Sequence, residues 1–274
     1  MTTHTEQTAL DTLAVASVGG LLVGIHLFLP PGIRASLAFD HANLQPWAPY
    51  TAAFVHTSNS HLLGNLLGYG VGAAVAYSLC VEEGRRRWFW LTTGAFLTML
   101  PVLTNLTSYV AFQSLGLAPT SRGFSGVVAG FAGFVLVALA RDLTARYDAD
   151  VGRHIGQAVF ILLVFEIGVI YAGVPSLTLA SLVTVGVGLS FWQLGIRGYR
   201  ATWTAAKRWQ VAIDAAYTAV VVLLLGVFIW MLFPAQITSS GSTTNIIAHG
   251  AGFLWGIGIS VTSWRMSLRA VLSA

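Results

Sequence analysis

Apolar residues fall along the chain in eight runs: 11–29, 61–81, 88–106, 124–140, 155–173, 177–196, 211–233 and 246–263. Each is long enough, or nearly so, to cross ~30 Å of hydrocarbon as a helix rising ~1.5 Å per residue. The stretch 155–196 is too long for one crossing, and Gly173-Val174-Pro175-Ser176 within it reads as a tight turn between two. The pattern predicts an all-α, polytopic membrane helix bundle of eight spans, forming a single transmembrane domain over 1–274. Polar segments join the runs. Residues 30–60 carry Pro30, Pro31, Pro46 and Pro49 with Phe39, Trp47, Tyr50 and Phe54, a composition suited to the headgroup layer. The segment 234–245 is rich in Ser, Thr and Gly and reads as a mobile loop.

Composition agrees with lipid as the solvent. Of the 274 residues 55% are hydrophobic and only 9% charged, against about a quarter charged in soluble domains. Mean hydropathy is +0.74. Cys80 is the one cysteine, so no internal disulfide can form. Met1 to Asp11 contains no Lys or Arg, so the first run reads as a retained anchor and not as a cleaved leader.

The net charge of +4 would hint at nucleic acid if spread over a surface, but its distribution says otherwise. Arg85, Arg86 and Arg87 follow run two, and Arg141, Arg146 and Arg153 follow run four. Arg197, Arg200, Lys207 and Arg208 follow run six; Arg265 and Arg269 follow run eight. These groups hold all but Arg34 and Arg122 of the 14 basic residues. All lie on one side of the membrane if every run crosses. The positive-inside rule then puts both termini in the cytosol, and nucleic acid is not an expected partner.

Three polar clusters sit at membrane depth, where polar groups need a reason. His56 and His61-x3-Asn65 lead into run two; His61 and Asn65 share one helical face. If helical, His56 and His61 would point about 140° apart. Gly123-Phe124-Ser125-Gly126 opens run four, with Gly126, Gly130 and Gly133 as a stripe of small residues. His249, Gly252 and Gly256 share one face at the start of run eight. Taken singly, each has a plain reading: packing hydrogen bonds, a helix cap, a histidine on a backbone carbonyl. Jointly they say more. Runs two, four and eight all cross from the outer side inward, so His61, Asn65, Ser125 and His249 share one depth. A nucleophile, a base and two donors at one level fit a catalytic constellation. No carboxylate stands where it could orient His249, which favours a Ser–His dyad, and the chain has no His-Glu-x-x-His metal motif.

The combination His56-x4-His61-x3-Asn65, Gly123-x-Ser125-Gly126 and His249-x2-Gly252-x3-Gly256 resembles the rhomboid family of intramembrane serine proteases. Trp47 resembles the tryptophan of that family's first outer loop. The resemblance implies a six-helix core with two further helices, 155–196, inserted between the Ser-bearing and His-bearing helices. It implies Ser125 as nucleophile, His249 as base, and an oxyanion hole built from the Ser125 N–H with His61 and Asn65. His56, Gly123, Gly126, Gly252 and Gly256 would be supporting residues. The segment 234–245 resembles the family's cap over the site, and run seven the helix that yields to substrate. No cofactor or metal is implied; the implied partners are single-span or polytopic membrane-protein substrates and the lipid bilayer. Two positions depart from the family: Ala48 follows Trp47 in place of arginine, and Ala129 replaces a tyrosine that stacks on the histidine.

Two other functions fit parts of the pattern. A catalytically silent relative that binds transmembrane helices would share the fold. A transporter would use the polar cluster as a site, but no inverted repeat is visible. Glu166, midway in run five, is either functional or a protonated group bonded to a neighbour. His26 in run one reads as a packing residue.

Overall fold

The computed structural model describes residues 4–82, 84–173, 176–196, 205–236, 238–239 and 242–272. In chain order come α1 (His4–Phe28), α2 (Pro31–Ser36), β1 (Phe39–Asp40), α3 (Ala48–Thr51) and a 3-10 turn (Ala52–Phe54). Then follow α4 (Asn59–Glu82), α5 (Arg86–Ser114), β2 (Thr120–Ser121), α6 (Ser125–Arg146), α7 (Ala149–Ala172) and α8 (Leu177–Ile196). The chain ends with α9 (Ala205–Leu232), β3 (Thr238–Ser239), β4 (Ser242–Thr243) and α10 (Ile246–Leu272). Every apolar run has become a helix, and the protein is a polytopic helical membrane protein.

Among the described residues seven helices, α1, α4, α5, α6, α7, α9 and α10, are long and apolar enough to cross a bilayer. The eighth expected span is α8, a helix of 20 residues whose apolar part Leu177–Gln193 is shorter. At ~1.5 Å per residue it still reaches ~30 Å. Parts of the expected turn at 173–176 and of the 234–245 loop lie outside the described residues. So do Arg197 and Arg200 and the side chains of Lys207 and Arg208.

Several helices outrun their apolar runs, for an identifiable reason. α5 continues past residue 106 because its polar residues bond within the helix: Thr104 and Thr107 hydroxyls donate to the Leu100 and Leu103 carbonyls at 2.8 and 2.7 Å, and Ser108 to Asn105 at 3.0 Å. A hydroxyl satisfied by its own helix does not end it. α7 begins at Ala149 because Asp148 caps it, accepting from the Asp150 and Val151 N–H groups, both at 2.8 Å.

The chain divides into two compact units. The first holds 1–77, 87–133 and 245–274. Within it α6 and α10 run parallel and nearly touch: a Cβ on Gly252 would strike the Gly126 carbonyl, one on Gly256 the Gly130 backbone, and one on Gly133 the Phe253 carbonyl. Parallel helices in a bilayer require an odd number of crossings between them. α7 and α9 alone supply two, so α8 completes the count. Trp88 donates to the Ser260 carbonyl at 2.9 Å, and the Thr92 and Ser263 hydroxyls meet at 2.6 Å, joining α5 to α10. Asp11 is buried and accepts from the Tyr77 hydroxyl at 2.7 Å and Trp90 Nε1 at 3.0 Å. The 30–60 segment is pinned by β1, which pairs antiparallel with β2 (Phe39 opposite Ser121). Trp47 remains 53% exposed, as an interfacial ring should.

The second unit holds 78–86 and 134–244. α7 and α8 form an antiparallel hairpin in which Leu179 packs on Gly168 and Ile161 on Gly186. Arg146 ties three helices together, bonding Glu82 at 2.6 Å, Asp142 at 2.9 Å and Asp214 at 3.2 Å.

Candidate active site

The segment before α6 is built to present Ser125. Gly123 takes φ +115°, which a side chain would resist. Its N–H donates to the Ala52 carbonyl at 2.8 Å. Phe124 is fully buried against Phe54 and Tyr69. Its N–H donates to His56 Nε2 at 3.4 Å, so the proton of neutral His56 sits on Nδ1. The Phe124 carbonyl accepts from Val127 and Val128. Ser125 is therefore the first helical residue, at the positive end of the α6 dipole, where backbone N–H groups have no intrahelical partner.

Ser125 does not use its hydroxyl as a cap. Oγ lies 2.7 Å from His249 Nε2. His249 is buried in the first turn of α10. That turn is set by Asn245, whose Oδ1 accepts from the Ala248 N–H at 2.9 Å and whose Nδ2 donates to Ser121 Oγ at 2.7 Å. Ser121 belongs to β2, four residues before the serine, so one asparagine holds the α10 start to the strand that leads into α6. Downstream, the Gly126–Gly252 and Gly130–Gly256 contacts hold the two helices at backbone distance. The methyl of Ala129 packs at this crossing: a Cβ on Gly252 would lie 3.1 Å from it.

The third cluster closes on the same point. His61 and Asn65 lie on one face of α4, and both face Gly123: a Cβ there would fall 2.5 Å from His61 Nε2 and 3.3 Å from Asn65 Nδ2. His61 Nδ1 is 3.2 Å from the Thr57 hydroxyl; with Thr57 donating, Nε2 carries the proton toward Gly123. Asn65 is only 5% exposed, yet its Nδ2 has no hydrogen-bond partner. A buried amide donor left unpaired is costly, of order ~1–3 kcal/mol.

The residues expected at the site, His56, His61, Asn65, Gly123, Ser125, Gly126, His249, Gly252 and Gly256, all lie in the first unit. One detail differs. His56 precedes α4 and is not helical, so its ring does not point away from His61; the ring centroids are 5.1 Å apart. Burial, and after it the neighbouring His61, His26 and Arg34 charges, push the His56 pKa down to about 3.

Residues that the sequence reading passed over support this turn from behind. Arg34 Nη1 donates to His26 Nδ1 at 2.9 Å and to the His56 carbonyl at 3.4 Å. Arginine can only donate, so His26 carries its proton on Nε2 and gives it to Asn59 Oδ1 at 2.9 Å. His26 is thus a link in a chain reaching the first residue of α4, beyond its expected packing role. Asn245 had a visible signal, a capping residue directly before an apolar run.

No curated protein and no solved structure matches this chain. The family model described as Rhomboid domain matches residues 43–149, which cover α3 through α6 with His56, His61, Asn65 and Ser125. Over that stretch the chain is similar to the rhomboid family.

Proposed function

We propose that this protein is an intramembrane serine endopeptidase that cleaves transmembrane segments of other membrane proteins through a Ser125–His249 dyad. The observation that carries the reading is the 2.7 Å contact from Ser125 Oγ to His249 Nε2. Oγ attacks the scissile carbonyl carbon while its proton passes to Nε2. The oxyanion then forms beside Gly123, where the Ser125 N–H, Asn65 Nδ2 and His61 Nε2 converge. In a water-poor site each such donor typically contributes ~10²–10³ in rate. The imidazolium of His249 protonates the leaving amine, leaving an ester on Ser125. Water, deprotonated by the same imidazole, hydrolyses it. His56, Gly123, Gly126, Gly252 and Gly256 hold the geometry and take no part in bond changes.

The clustering of Arg and Lys after even-numbered runs supports cytosolic termini. With α4, α6 and α10 all starting from the opposite side, the dyad then faces outward, near the outer end of a substrate helix.

A fluorophosphonate probe on purified protein tests the chemistry. Labelling that disappears in Ser125→Ala is expected. Absence of labelling in folded wild-type protein would favour the second reading, a silent helix-binding relative, to which the missing aromatic at Ala129 lends support.

A further inference from the structure

Glu166 takes no part in the proposed chemistry. It lies within two turns of the Ala172 end of α7, and not midway along the helix. A groove of about 480 Å³ runs there between α7 and α9, lined by Leu162, Leu163, Leu223, Gly226 and Trp230 with Glu166 the ionisable member. Leu223 and Trp230 are open to the surroundings. The carboxyl makes no hydrogen bond or ion pair with any described residue. Gly226 leaves room beside it: a methyl there would sit 3.4 Å from Glu166 Oε2.

Apolar walls alone would call for nothing, since lipid tails cover them as well as protein does. The carboxyl is different. In hydrocarbon neither its charged nor its neutral form is satisfied without a partner. Lipid headgroups are out of reach, because Glu166 stands roughly 9 Å inside the helix end at ~1.5 Å per residue and its own side chain is short. A partner must bring its polar group to that depth with its backbone already satisfied, which in a bilayer means a helix. The groove has the dimensions for one: Val222 to Trp230 is about two turns, ~12 Å along α9. A glycine beside the polar group permits close backbone approach.

The geometry points to a docking site between α7 and α9 for a transmembrane helix of another protein that presents a hydrogen-bond donor, a lysine or an amide, to Glu166. The site belongs to the second unit alone and does not depend on Ser125 being a nucleophile.

The test uses the full-length chain carrying Ser125→Ala, so that no probe is cut, in phosphatidylcholine vesicles. Synthetic Leu/Ala membrane-spanning peptides carry Asn, Lys or Leu at the depth of Glu166, and energy transfer reports binding to labelled protein. The Asn and Lys peptides should bind about five-fold more tightly than the Leu peptide, the yield of one interhelical hydrogen bond. Glu166→Gln should keep the preference for Asn and reduce that for Lys. Glu166→Leu should erase both while melting no lower than the parent, because no internal bond is lost. Equal binding of all three peptides, binding of none, or a preference that survives Glu166→Leu would overturn the assignment. So would Glu166-dependent energy transfer between copies of the protein without peptide, which would assign the groove to a second copy. None of these outcomes bears on fluorophosphonate labelling, so this site and the hydrolytic reading fail separately.

Discussion

Asn65→Leu separates catalysis from stability by moving them in opposite directions. Leucine keeps the branched, four-heavy-atom outline of asparagine and removes both amide hydrogens. In the resting protein Asn65 is 5% exposed with Nδ2 unpartnered, so its replacement relieves a desolvation cost of ~1–3 kcal/mol. The variant should therefore melt at or above the wild-type temperature. In the transition state, that same nitrogen would bond the oxyanion next to Gly123. Losing one such donor lowers turnover by ~10²–10³, or ~2.7–4 kcal/mol. Because the bond forms only as charge develops, the loss should appear in kcat with KM nearly unchanged. The assay is cleavage of a fluorogenic transmembrane peptide in proteoliposomes, run beside a thermal melt of the same preparation. A kcat reduced by less than tenfold would refute Asn65 as an oxyanion donor. So would a melting temperature that falls along with the rate, which would mark Asn65 as a packing residue.

The crossing of α6 and α10 predicts that Gly252→Ala, whose Cβ strikes the Gly126 carbonyl, destabilises by ~1–3 kcal/mol and loses fluorophosphonate labelling, whereas Gly250→Ala, with nothing within 4 Å, melts and labels as wild type. Asn245→Ala removes the α10 cap and should lower stability by ~0.5–2 kcal/mol in chemical or thermal denaturation. Acidification should destabilise the fold through His56. Its folded pKa is depressed to about 3 while the unfolded chain titrates near ~6.5, so the contribution is complete above ~6.5 and is lost at up to ~1.4 kcal/mol per pH unit below it. His56→Gln should flatten that slope in melts between pH 6.5 and 4, and an unchanged slope would place the titrating group elsewhere.

The spans were legible because membrane helices announce themselves by composition: a charge-poor run of about twenty residues has few other uses. Helix ends were less so, since the Thr and Ser of α5 look polar in sequence yet bond to their own helix. The shared depth of Ser125, His249, His61 and Asn65 followed from direction alone, as helices starting on one face bring their first turns to one level; their lateral approach rests on the glycine contacts of α6 with α10 and on Gly123 facing α4. Partners beyond that level were hidden. Nothing in periodicity links His26 to Arg34 and Asn59, because α2 and the turn at 56–59 follow paths set by tertiary contacts. Nor does the place of Asp11 at the start of a run reveal that it is buried and bonded to Tyr77 and Trp90. The 140° separation of His56 and His61 holds only within a helix, and α4 begins three residues after His56.

The glycine seam between α6 and α10 also limits how such a protein can be turned on or off. With the backbones in contact, sliding one helix by a single residue shifts it ~1.5 Å along its axis, which stretches a 2.7 Å Ser–His contact lying across the two axes to ~3.1 Å, the long end of the hydrogen-bond range. Interlocked carbonyls and glycine Cα atoms admit no gradual drift, only discrete registers. The seam is therefore a vernier: any effector that altered reactivity from outside the site would do so by a whole step of that scale, and the response would be a switch and not a dial.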